Sequence, residues 1–198
     1  MGLGLAGSGN SFDSGDKEVK YAKRLQLDVD VHDILNADRQ LIQTTDRAVM
    51  HKYPHSTWLT LEHEGTPLRM YSLPKEVTDR VVSQLPKAIL DREVPGVYLM
   101  MAEKPEPTPS ILPPHIDRAR RCAVNIYLET DGEVTQFFDA HEEDKSFTLL
   151  ESFTAKTGEA WALDVSKVHG VIMGNAMRRS GLSLSFRKMK YDELISLL

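Results

Sequence analysis

Two periods run along the chain. In the first half, apolar residues recur at helical spacing. From Val31 to about Thr45, VHDILNADRQLIQTT places Ile34, Leu35, Leu41 and Ile42 near one face, with Asp33 as a cap, which predicts a helix. In SLPKEVTDRVVSQLPKAIL, Ser72 can cap, Pro74 suits a first turn, and Val77, Val81, Val82 and Leu85 share a face. A second helix is predicted there, ending at Pro86. STWLTLEH (56–63) and VPGVYLMMAE read as strands, and KPEPTPSILPP, with five prolines in eleven residues, reads as an extended loop that delivers the chain to His115.

Beyond His115 the period becomes two. CAVNIYLE, VTQFFD, FTLLESFTA, EAWALDV, HGVIM and SGLSLSFRK are strand-like, with turn signals at Asp131-Gly132, Gly158 and Gly174-Asn175. Helices followed by antiparallel strands predict an α+β, mainly β, protein: a β-sandwich or barrel buttressed by N-terminal helices.

The 198 residues fit one domain. Residues 1–16, MGLGLAGSGNSFDSGD, lack an apolar period and read as a flexible lead or cloning remnant. Residues 17–198 form the predicted domain, with a β core over about 95–190. Composition is that of a globular protein, and a net charge of -5 gives a nucleic-acid partner no support. There is no apolar run of roughly 18 residues and no basic leader, so neither membrane insertion nor secretion is expected, and a cytoplasmic location is. Cys122 is the single cysteine, which rules out an internal disulfide and a thiolate-rich zinc site. Any metal must be held by histidines and carboxylates.

That requirement directs attention to His115 and Asp117. Two apart on extended backbone, they present an imidazole and a carboxylate to the same side, although alone such a pair is more often a solvated loop mouth. The segment DVSKVHGVIMGNAMRRSGLSLSFR adds a third group. Its last strand alternates Leu182, Leu184 and Phe186 against Arg179, Gly181, Ser183, Ser185 and Arg187. A hairpin centred on Gly174 would set His169 opposite Arg179, on one face of a sheet. Two imidazoles and one carboxylate are the ligand set of non-haem Fe(II), which leaves positions open for substrate and O2. Zinc competes, but a zinc hydrolase gives no reason for the arginine. A buried Arg179 would be an uncompensated charge unless an anion pairs with it, which suggests a carboxylate-bearing cosubstrate.

The segment His115 to Arg187 resembles the double-stranded β-helix core of the Fe(II)/2-oxoglutarate-dependent dioxygenases. Their pattern of His-x-Asp, about fifty residues, His, about ten residues and Arg is met by His115-Ile116-Asp117, His169 and Arg179. PHID, NIYLE, GEAWALDVSKVHGV and the stretch from Asn175 to Arg179 are most similar to the aspartyl/asparaginyl β-hydroxylase and free-proline hydroxylase branch. The likeness covers roughly the last 90 residues by motif and the first 100 only by element order.

The resemblance implies a jelly-roll, cupin-like core with N-terminal supporting helices. It implies Fe(II) on His115, Asp117 and His169, 2-oxoglutarate with its distal carboxylate on Arg179, and O2 as the oxidant. It also implies hydroxylation of an amino acid, free or in a peptide or protein, with release of succinate and CO2. Two departures stand out: Arg178 adjoins Arg179, and Gly181 stands where the family often has a polar residue. A second contact to 2-oxoglutarate must then come from elsewhere. Asn125 and Tyr127 are candidates if Val124, Ile126 and Leu128 face the helices, though a tyrosine at this spacing can equally be core.

Arg118, Arg120 and Arg121 could grip a substrate carboxylate or form a solvated face. Asp164 could orient His169 or begin a turn, and Trp161 is expected in the core. HEEDK (141–145) reads as a solvent loop, and His51, His55 and His63 read as structural or exposed. The proline-rich loop is a candidate substrate lid. The expected partner is a small-molecule or peptide substrate, and oligomeric state is not legible. Competing readings are a non-catalytic cupin-like module binding an anion or small molecule, a metal-dependent hydrolase or isomerase, and the same oxygenase chemistry on a nucleobase or other small metabolite.

Overall fold

The period-two segments after His115 all form strands, and the first half of the chain contributes more strands than its helical periodicity suggests. The computed structural model describes residues 19–45, 68–103, 110–117, 119–141, 143, 146–173 and 177–198. The chain runs β1 (Ala22–Leu25), α1 (Val31–Asn36), β2 (Gln40–Thr45), β3 (Leu68–Ser72), α2 (Lys75–Val82), α3 (Lys87–Leu90), β4 (Gly96–Glu103) and β5 (Ser110–His115). It continues through β6 (Cys122–Glu129), β7 (Val134–His141), β8 (Ser146–Thr154), β9 (Ala160–Leu163), β10 (Val168–Met173), β11 (Arg178–Phe186) and α4 (Tyr191–Leu197).

The strands form two antiparallel sheets. One has seven strands in the order β1-β9-β6-β11-β4-β3-β2, and the other has four in the order β5-β10-β7-β8. On the outer face of the large sheet, Val124, Ile126 and Leu128 of β6 and Leu182, Leu184 and Phe186 of β11 pack with Ile34, Val77, Val81, Ile89 and Leu194 from the described helices. Each such fully buried side chain contributes about 1.5–3 kcal/mol, so this face is the main source of stability. The other face looks toward the small sheet. There Ala123, Tyr127 and Leu163 meet Phe137 and Phe153, with Tyr127 edge-on to Phe153 at 6.4 Å and Trp161 stacked on it at 4.2 Å. Ala102 of β4 packs on Val171 and Met173 of β10. The space between the sheets is where the polar residues of interest lie.

Several sequence expectations change. The helix expected over 31–45 stops at Asn36. Asp30, not Asp33, caps it, accepting from Asp33 N at 2.9 Å, and Ala37 is already extended. Gln40–Thr45 instead pairs with β3, because strand hydrogen bonds are available there and Leu41 and Ile42, about half exposed, give a helix no core to bury against. Ser72 ends β3 rather than capping a helix. The helix that follows ends at Val82, and Pro86 begins the short α3.

The end of the proline-rich run is a strand rather than a loop. β5 lies at the edge of the small sheet, and its pairing with β10 carries an extra residue where Pro113 and Pro114 fall, an edge and a bulge being the places where a sheet tolerates a residue without an N–H. His141 ends β7, exposed and bonded to Thr148 Oγ1 at 2.7 Å. Residues 1–16, STWLTLEH with His51, His55 and His63, residues 104–109 of the proline-rich run, and Gly174-Asn175 lie outside the described residues. Among the described residues no helix is long and apolar enough to cross a membrane.

Candidate metal centre

His115 closes β5, and His169 is its direct cross-strand partner on β10. Directly opposed residues share a face, so the two rings meet with centroids 4.3 Å apart. Asp117 follows β5, its backbone N–H donating to Val165 O at 3.1 Å, which turns its carboxylate back to the rings. Asp117 Oδ1 is 3.5 Å from His115 Nε2, and Oδ2 is 3.9 Å from His169 Nε2. One ligand atom from each of the three side chains lies within 4.8 Å of the others. Nitrogen and oxygen ligands at about 2.1 Å from a metal, taken at right angles, stand about 3 Å apart, so small side-chain rotations would close this group on an ion.

Protonation favours ligation. His169 Nδ1–H donates to Lys167 O at 2.9 Å, which leaves the Nε2 lone pair aimed at the shared point. Burial, reinforced by the neighbouring His115, pulls the His169 pKa down to about 4, so the ring is neutral at physiological pH. Burial would raise the pKa of Asp117, but the His115 hydrogen bond and the charges of Arg120 and the two histidines outweigh it. The carboxyl is held well below the usual carboxylate range. Asp164, considered above as an orienting group, instead accepts from Ser166 N and Ser166 Oγ, at 3.2 and 2.5 Å, and shapes the turn.

The arginines divide. Arg120 Nε donates to Asp117 Oδ2 at 2.6 Å, and its Nη1 reaches Ser183 Oγ at 2.5 Å and Ser185 Oγ at 3.3 Å on β11. Arg120 is therefore the partner of a candidate ligand. Arg121 is exposed, and its backbone N–H donates to Phe186 O at 2.7 Å. Arg118 lies outside the described residues.

Asn125, Tyr127 and Arg179 come together in one small pocket, completed by Leu68, Met100, Ile126, Ser180 and Gly181. Tyr127 Oη is 3.3 Å from Thr135 Oγ1, and the Arg179 guanidinium lies 5.9 Å from the Tyr127 ring centre. Burial raises the pKa of Tyr127, so it stays a neutral phenol. Asn125 Oδ1 is buried without a hydrogen-bond partner among the described residues. Arg178 pairs with Glu129 at 2.6 Å and lies 4.0 Å from Glu103, so the two adjacent arginines serve different neighbours.

Two inferences drawn from the sequence are corrected. β10 and β11 are not a hairpin: β10 has β5 and β7 on its edges, β11 has β4 and β6, and a strand has only two edges to pair. His169 and Arg179 thus come from facing sheets. Nor is Arg179 an uncompensated charge. Glu133, 2% exposed, accepts from its Nε at 2.6 Å. Sequence reasoning passed over Glu133, Ser183 and Ser185 as functional groups. The period of two carried the signal for Glu133, since Thr135 and Phe137, its alternate neighbours, are buried.

No protein-family model matches the chain, and no curated protein sequence matches it. Solved structures similar to it include a Momordica charantia 7S globulin (10% identity, 62% of this chain and 30% of that one, TM-score 0.39). They include the ribosomal oxygenase YcfD from Escherichia coli, solved with cobalt and succinic acid (13% identity, 69% and 36%, TM-score 0.44). A Pseudomonas putida prolyl-4-hydroxylase is also among them (15% identity, 80% and 97%, TM-score 0.40). The matched segment is about a third of the length of the globulin and YcfD chains. At these values the likenesses say nothing about activity.

Proposed function

We propose that the chain is an Fe(II)- and 2-oxoglutarate-dependent oxygenase on a double-stranded β-helix core, acting on an amino acid, free or within a peptide or protein. The observation that carries this reading is the convergence of His115, Asp117 and His169 within 4.8 Å of one another, in a fold that also gathers Asn125, Tyr127 and Arg179 into one small pocket. Two imidazoles and one carboxylate leave open positions on an octahedral ion, as an oxygenase needs. Charge supports the cosubstrate. Arg120 and Arg179 are offset by Asp117 and Glu133, so a divalent ion would leave the surplus positive charge on the ion itself, where a chelating keto-acid carboxylate suits it.

The residues fit both groups. His115, Asp117 and His169 would hold the iron, and Arg179, Tyr127 and Asn125, the last with its amide turned to present Nδ2, would hold 2-oxoglutarate. When bound, the two supply the oxidising chemistry, in which the keto acid is decarboxylated to succinate and CO2 as O2 is consumed. The chain's own part is to keep His169 neutral by burial and to orient its ring through Lys167 O, to fix Asp117 through Arg120, and to line the inter-sheet space with the buried Phe137 and Phe153.

The test is succinate release by anaerobically purified protein given Fe(II), 2-oxoglutarate and air, with and without a pool of amino acids and short peptides. Wild type should release succinate, one pool member should raise the yield, and His115→Ala should abolish it. The competing reading is a non-catalytic module that binds a small molecule between the sheets. Iron bound at the triad with no succinate under any condition would decide for it.

A further inference from the structure

Glu133 sits in the short connection from β6 to β7, where Gly132, at φ 69°, turns the chain so that Glu133 enters the inward-facing series continued by Thr135 and Phe137. It is a buried carboxylate. One oxygen accepts from Arg179 Nε at 2.6 Å, and the other, Oε2, has no hydrogen-bond partner among the described residues. A carboxylate oxygen withdrawn from water without a donor is costly, which marks Glu133 as a charge that packing holds beside Arg179. Glu133 does not line the pocket, but its bond to Nε means that the pocket presents a part-neutralised arginine, not a bare cation.

From this we infer that Glu133 is a specificity-determining residue: a carboxylate of the chain itself that competes with the distal carboxylate of the keto acid for Arg179. The inference rests on the functional reading above. An anionic end group is attracted by Arg179 and repelled by Glu133, so its negative charge brings little net gain. A carboxamide end offers its oxygen to Arg179 without meeting that repulsion. The chain should thus discriminate weakly between 2-oxoglutarate and its analogue with a distal carboxamide. Removing the charge of Glu133 while keeping its acceptor should restore a preference for the dianion.

The test is equilibrium binding by calorimetry, without oxygen, on full-length protein loaded with Mn(II), using 2-oxoglutarate and the distal carboxamide analogue as probes. Wild type should bind the two within about fivefold of each other. Glu133→Gln should bind 2-oxoglutarate about tenfold or more tightly than wild type does, with the carboxamide analogue not tightened. A larger wild-type preference for 2-oxoglutarate overturns the inference and leaves the functional reading standing. So does a Glu133→Gln protein whose affinity for 2-oxoglutarate is unchanged or lower. If Glu133→Gln does not fold, the wild-type pair of affinities decides alone. A wild type that binds Mn(II) but neither probe overturns both.

Discussion

Replacing Arg120 by alanine separates two things its side chain does at once. Arg120 and Asp117 are 18% and 19% exposed, bonded at 2.6 Å, and Arg120 also reaches Ser183 and Ser185. Charge-assisted hydrogen bonds of this kind contribute about 1.5–3 kcal/mol, and an acid left partnerless in a mostly buried site costs more than one facing water. Metal-free Arg120→Ala protein should therefore lose about 3 kcal/mol. With a divalent ion on the triad, Asp117 keeps a positive partner and only the contacts to β11 are lost, so the cost should fall to about 1.5 kcal/mol. By linkage the difference appears as metal affinity, roughly tenfold tighter in the variant. Urea unfolding with and without Mn(II), and Mn(II) affinity measured against a competing chelator, give both sides of the cycle. If the variant instead binds Mn(II) more weakly, Arg120 acts mainly by aiming Asp117, and the electrostatic reasoning is wrong.

Metal-free protein should lose stability as pH falls from about 6.5 to about 4. His169 has its folded pKa depressed to about 4 from an ordinary 6.5, so its contribution is intact above 6.5 and is lost as the unfolded chain takes up the proton first; Asp117, also depressed, extends the loss to lower pH. Denaturant midpoints at pH 7 and 4.5 should differ less in His169→Gln than in wild type, and equal differences would refute this. Leu182→Ala, at a fully buried position under the helices, should cost about 2–5 kcal/mol, whereas Leu149→Ala, at 49% exposure, should stay within about 0.5 kcal/mol, both read from urea melts. Asp164→Asn should leave Mn(II) affinity within about threefold of wild type, because Lys167 O rather than Asp164 fixes the His169 ring. A larger loss would make Asp164 an orienting group after all.

Legibility follows the range of the interaction. The strands from Cys122 onward are readable because a period of two reports which side of a sheet is buried, and β6 and β11 bury the aliphatic sides that their alternation marks. The segment 31–45 misleads because Leu41 and Ile42 keep a helical spacing while the segment's hydrogen bonds come from β3, some thirty residues on. The triad is visible only in outline: His115 and Asp117 are local to one another, whereas His169 is joined to them by the family resemblance, its own strand VHGVIM showing no alternation.

Residue types and short-range periods by themselves determined that this chain is mainly antiparallel β with helical support, that a metal could be held only by histidine and carboxylate, and that His115 and Asp117 form a local pair. Those properties depend on neighbours a few residues away or on composition alone. His169 was added by the family resemblance, and the fold sets it across from His115. Tertiary structure decided which strand edges pair, and hence that His169 and Arg179 come from facing sheets. It also decided the distant partners of the charged groups: Arg120 on Ser183, 63 residues away, and Arg179 on Glu133, 46 residues away. No local pattern specifies such pairs, because a buried charge selects its counter-ion by what packing brings within 3 Å, and packing is a property of the whole fold.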